Sequence, residues 1–203
     1  MIAIIDYGVG NLYSLSHSLT HLGVENTVTR GKSAIEAADK LILPGVGAFG
    51  DARKRLDDTG LTDVILRRAR AGTPLLGICL GMQLLFEKSY EYGEHEGLNL
   101  IPGQVCPIQA DLRAPLKVPH IGWNQLHILR PCLLAKDIAE GDSVYYVHSY
   151  YAKNVGECLM ASSEYGVEIP GIVQKDNVYG AQFHPEKSGE IGLRILRAFA
   201  EGA

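Results

Sequence analysis

At 203 residues, 46% apolar and 21% charged, the chain has the make-up of a globular protein with enough length to bury a core in one domain spanning residues 1–203. Its formal net charge of -4 comes from interspersed acids and bases, and the lack of a basic run argues against nucleic acid as a partner. No stretch has the length and hydropathy of a membrane span, no basic leader precedes the short apolar start, and Cys79, Cys106, Cys132 and Cys158 form no CxxC pair; the expectation is a cytoplasmic protein with reduced thiols, three of them in the core, and no metal site.

In chain order, residues 2–5 form a continuous apolar, β-branched run of the kind buried on both faces of a parallel sheet. Leucines at 12, 15, 19 and 22 then recur at helical spacing, and Gly23 closes that segment. The alternation returns with a strand at 40–45 and a helix around 61–71, then with an apolar run at 74–79 that leads straight into a helix. Such βα repetition predicts a mostly parallel twisted sheet with helices on both faces, flavodoxin-like, with its ligand site beyond the strand carboxyl ends. The second half carries shorter strand-like pieces at 104–109, 125–129, 143–152, 158–164 and 171–183, the last broken by a hairpin turn at Asp176-Asn177. These are expected to add antiparallel strands to the parallel core before a last helix from Ser188, with Ile191, Ile195 and Phe199 on one face.

Gly77-Ile78-Cys79-Leu80-Gly81 has the form of a nucleophile elbow with cysteine in place of serine. The glycines relieve the crowding of a tight strand-to-helix turn around the nucleophile and the incoming substrate, the helix N-terminus favours thiolate, and the Leu80 N–H is placed to meet an oxyanion. Taken alone, the motif also suits a buried cysteine between packing glycines. Phe183-His184-Pro185-Glu186 supplies what a cysteine nucleophile needs, an imidazole and a carboxylate that fixes its tautomer, although by itself it also suits a turn with a surface ion pair. Leu43-Pro44-Gly45-Val46-Gly47 ends another inferred parallel strand, where a glycine-rich loop brings backbone N–H groups against a carbonyl oxygen.

Together, in this order, these three motifs resemble the class I (triad) glutamine amidotransferase family across essentially the whole chain. Asp6-Tyr7-Gly8-Val9-Gly10-Asn11, the loop through Phe49, Gly122-Trp123-Asn124, Val147-His148-Ser149-Tyr150-Tyr151 and His184-Pro185-Glu186-Lys187-Ser188 are most similar to one branch of it. That branch supplies ammonia to a (β/α)8-barrel cyclase making imidazole glycerol phosphate and an aminoimidazole carboxamide ribotide in histidine biosynthesis. The resemblance implies a Cys79, His184, Glu186 triad, an oxyanion hole at Val46, Gly47 and Leu80, and glutamine held by Gln83, Glu91, His148, Ser149 and Tyr150. It also implies a heterodimer with the cyclase, touched by Asn11, Trp123 and Lys187, no cofactor, and little activity until the partner and its nucleotide set the backbone around Val46. Trp123 reads equally well as an interface anchor or a core residue. The glutaminase of another synthase and a silent regulatory subunit on the same fold are the competing readings.

Overall fold

The computed structural model describes residues 1–203. β1 (Ile2–Ile5) is buried at every position because both its faces are covered: Ala3 and Ile5 enter one hydrophobic cluster, Ile2 and Ile4 the other. α1 (Leu12–His21) buries Leu15 and Leu19, and Gly23, at φ +75°, turns the chain beyond it. β2 (Asn26–Thr29) and α2 (Lys32–Ala37) come next, then β3 (Lys40–Gly45), α3 (Phe49–Asp58), α4 (Thr62–Arg70), β4 (Leu75–Cys79) and α5 (Leu80–Leu84). The second half adds β5 (Lys88–Ser89), β6 (His95–Glu96), β7 (Gln104–Pro107), β8 (His120–Gln125), β9 (His127–Ile128), β10 (Ser143–His148), β11 (Tyr150–Lys153), β12 (Leu159–Glu164), β13 (Glu168–Lys175), β14 (Val178–Ala181) and α6 (Gly189–Gly202).

The main sheet runs β2-β1-β3-β4-β14-β13-β12-β9. Its first five strands are mutually parallel, and the last three run antiparallel to their neighbours. This is the anticipated architecture, with helices on both faces, but not every later strand extends the core. β10 pairs only with β8, and β11 joins β7, β5 and β6 in a separate small sheet. The stretch 143–152, read as one strand, therefore breaks at Ser149, where the chain leaves one sheet for the other. The piece at 125–129 divides likewise at Leu126, whose side chain turns fully into the core.

The hairpin at Asp176-Asn177 forms as expected, with Asp176 at φ +51° joining antiparallel β13 and β14. β14 then lies parallel beside β4, Gly180 opposite Gly77 and Ala181 opposite Ile78. This pairing positions the site: two strands far apart in sequence end side by side at the carboxyl edge of the sheet. Cys106, Cys132 and Cys158 are half-buried at the margins of the core rather than within it; all four cysteines are free. No helix is long and apolar enough to cross a membrane.

Candidate active site

Cys79 is both the last residue of β4 and the residue that starts α5, at φ +54° and ψ -112°, a conformation costly for a side chain with a Cβ and sustained here by the packing around it. The flanking glycines are required by the crowding of the turn itself. A Cβ on Gly77 would stand 2.7 Å from the Gly81 oxygen and the Met82 Cα, and one on Gly81 would overlap the Leu43 carbonyl oxygen of β3. The first turn of α5 thus lies directly against the backbone of β3 and β4, with no room for side chains between. Cys79 is 6% exposed, and its Sγ lies 4.0 Å from the Val147 oxygen and 3.9 Å from Gln182 Nε2.

His184 follows β14 and so rises beside Cys79 beyond the strand ends. Its backbone N–H donates to the Tyr145 oxygen at 2.9 Å, and its Nδ1 lies 2.9 Å from Glu186 Oε1, both side chains being 3% exposed. A carboxylate only accepts, so Nδ1 carries the hydrogen and Nε2 is left as the ring's position for proton exchange. Burial alone would push the imidazole down; the Cys79 sulfur and the Glu186 carboxylate outweigh it and hold His184 up, at about 10.

A cavity of about 330 Å³ opens over this pair. It is lined by Val46 and Gly47 from the loop after β3, by Cys79, Leu80 and Gln83 from the elbow and α5, and by Glu91. The break between β10 and β11 contributes His148, Ser149 and Tyr150, and the segment after β14 contributes His184 and Lys187. Gln83 is no exposed helix residue: it is buried and donates to the Tyr150 oxygen at 2.9 Å and to Gln182 Oε1 at 3.0 Å. Glu91, and not the exposed acids near it, faces the cavity; its Oε2 accepts from the Phe49 N–H at 2.6 Å, and burial raises its carboxyl pKa. Val46 is 41% exposed, Gly47 sits at φ +97°, and the strand end beneath them is buttressed by the buried Tyr7, whose hydroxyl donates to the Pro44 oxygen at 2.8 Å.

The remaining three residues named from the sequence do not all reach the cavity. Lys187 is exposed at the cavity, Asn11 is half-buried at the head of α1, and neither Asn11 nor Trp123 lines the cavity. Trp123 is 59% exposed on β8 next to the equally open Ile121 and meets Tyr145 edge-on, which removes the core reading. Sequence reasoning missed Tyr7, Gln182 and His120. Gln182 left a signal, a single amide in the otherwise apolar approach to His184; His120 left none until strand register set it opposite His148.

Residues 3–202 match the model of the family "Glutamine amidotransferase class-I", and the chain belongs to that family. Within it, the chain is 50% identical to imidazole glycerol phosphate synthase subunit HisH of Bacillus cytotoxicus, over 98% of this chain and 93% of that one. It is likewise 50% identical to HisH of Listeria monocytogenes, over 99% and 95%. Among solved structures the fold matches a glutamine amidotransferase with a TM-score of 0.76 at 22% identity, covering 99% of this chain and 98% of that one. It also matches a chain of PurLQS from Thermotoga maritima with a TM-score of 0.73 at 18% identity, covering 98% and 96%.

Proposed function

We propose that Cys79, His184 and Glu186 perform the glutamine hydrolysis of this chain, a cytoplasmic glutaminase of the HisH kind acting in histidine biosynthesis and built as one domain over residues 1–203. Cys79 Sγ, its proton passed to His184 Nε2, attacks the side-chain amide carbon of glutamine. The oxyanion is met by backbone N–H groups at Leu80 and in the Val46–Gly47 loop. Imidazolium, held upright by Glu186, returns the proton to the departing nitrogen; ammonia leaves and a γ-glutamyl thioester remains. Water, deprotonated by the same imidazole, then hydrolyses the thioester to glutamate and frees the thiol. Glu91, Gln83 and the His148–Tyr150 backbone hold the substrate, and no cofactor is needed. The observation that carries the reading is the convergence of the elbow cysteine with the buried His184–Glu186 pair in one cavity.

The 50% identity to HisH subunits supports the finer reading that the chain forms a heterodimer with a (β/α)8-barrel cyclase and passes ammonia into it. Exposed Ile121 and Trp123 suit such a face, with Asn11 and Lys187 at its margin. A silent regulatory subunit has no use for all three triad residues brought together.

Glutamate release from glutamine, measured for the chain alone and with the cyclase plus its ribonucleotide, tests both levels. Strong stimulation by the cyclase, abolished by Cys79→Ala through a loss of at least roughly 10³-fold, is the expected result. Release that survives the substitution would refute the triad; release indifferent to the cyclase would refute the partner.

A further inference from the structure

At the cavity wall and just behind it stand two histidines to whose side chains the proposed mechanism gives no part. His148 on β10 and His120 on β8 stand opposite each other in the register, are 6% and 2% exposed, and lie 3.0 Å apart from His120 Nδ1 to His148 Nε2. The surroundings leave one assignment of hydrogens. His148 Nδ1 is 2.8 Å from the Tyr150 carbonyl oxygen, which only accepts, so Nδ1 bears the hydrogen and Nε2 is bare. His120 Nδ1 must then donate to it, which leaves His120 Nε2 bare in turn. Opposite that nitrogen, at 3.3 Å, is Asn124 Nδ2, a donor whose orientation is set because it also donates to the Glu164 oxygen while Asn124 Oδ1 accepts from the Gln125 N–H.

Every hydrogen bond in this chain points one way, from Asn124 through His120 and His148 to the Tyr150 carbonyl. The same carbonyl accepts from Gln83, which reaches Gln182 beside Cys79. A proton added to either ring would set N–H against N–H. Burial opposes it as well, holding both imidazoles far below their ordinary value, at about 4 for His120 and about 3 for His148. The His120 ring is also clamped between Tyr165, at 3.9 Å between centroids, and Tyr146, at 4.7 Å. A fully satisfied buried network of this kind has one arrangement and resists local drift.

We propose that His120 is a positioning residue for the glutamine site: acting through His148, it fixes the Tyr150 carbonyl and the Ser149–Tyr150 backbone, and ties them to the strand that presents Trp123. The proposal rests on the glutaminase reading, because the backbone it positions is the one assigned to hold glutamine. His148 touches the cavity; His120 does not.

His120→Phe keeps a ring between the two tyrosines and removes both nitrogens. In the complex with the cyclase, its KM for glutamine is expected to rise roughly five- to tenfold with kcat within about twofold of wild type, the cost of a lost hydrogen bond expressed in binding. Partial misfolding would lower apparent kcat instead and leave KM alone. ¹⁵N spectra of the wild-type chain should show both rings as neutral Nδ1–H tautomers. An Nε2–H tautomer at His148, or unchanged KM in folded His120→Phe, overturns the proposal. A wild-type complex that releases no glutamate would instead overturn the glutaminase reading, and the tautomer spectra would still judge the relay.

Discussion

The floor of the cavity and the wall across from it are fixed by different forces. Under Cys79 the fixing is backbone on backbone: Gly77 and Gly81 let α5 lie against β3 and β4, and steric exclusion alone leaves the elbow one conformation. Across the cavity, at the break between β10 and β11, side chains do the holding, as Asn124, His120, His148 and Gln83 converge on the Tyr150 carbonyl. The first arrangement tolerates loss of polar groups but no added atom; the second tolerates a change of shape but no lost donor. In the proposed glutaminase the nucleophile, which must stay put through two chemical steps, sits on the rigid floor, and the surface proposed to accept and release glutamine is held by bonds of modest strength.

The largest expected effect joins the two regions. Glu186→Gln leaves the shape of the site intact but removes the charge that orients His184, and glutamine turnover should fall by roughly 10³- to 10⁴-fold, measured as kcat in the cyclase complex. The same variant has a pH signature. His184 is held at about 10 in the folded chain, against about 6.5 when unfolded, so the folded state keeps a proton that the unfolded state gives up. That stabilisation is complete below about pH 6.5 and is lost as pH rises to about 10. Urea unfolding across this window should show stability falling in wild type and falling less, and at lower pH, in Glu186→Gln.

Next in size is an added methyl on the floor. Gly81→Ala should cost about 3 kcal/mol or prevent folding altogether, because the new Cβ has only the β3 backbone to displace. Gly47→Ala is the control: its Cβ meets open space, so only the positive φ is penalised, by about 1 kcal/mol. Equal unfolding midpoints for the two variants would contradict the steric account of the elbow. The smallest effect belongs to Tyr7→Phe, which deletes one buried hydrogen bond to the Pro44 oxygen and should lower unfolding free energy by about 1 kcal/mol, with a weaker grip on the Val46–Gly47 loop read as reduced kcat.

The same contrast governs what could be read from the amino-acid order. The floor was legible because its constraints are local: apolar runs make β1, β3 and β4, leucine spacing makes α1, and a cysteine between two glycines announces the elbow. β2 was not legible, since Asn-Thr-Val-Thr at a half-exposed sheet edge shows neither an apolar run nor clean alternation. α3 was hidden by its charges, with only Phe49, Ala52 and Leu56 buried in it. His184 and Glu186 were legible as a His-Pro-Glu spacing able to serve a cysteine, whereas the glutamine-holding set of Gln83, Glu91 and the His148–Tyr150 segment was reached through family resemblance. The relay behind them lay beyond both routes. His120 and His148 meet only because β8 pairs with β10 in one register, and no glycine or proline marks the break at Ser149 where the chain changes sheets.

The position of β14 also bears on how the molecule is made. The strand beside β4 is the last to be synthesised, so while the chain emerges from the ribosome the β4 edge next to Gly77 and Ile78 stays unpaired and β13 has no hairpin mate. His184 arrives with the residues that seal that edge. Closing the sheet and bringing His184 beside Cys79 are therefore a single late event, and a nascent or prematurely released chain carries the thiol without the imidazole.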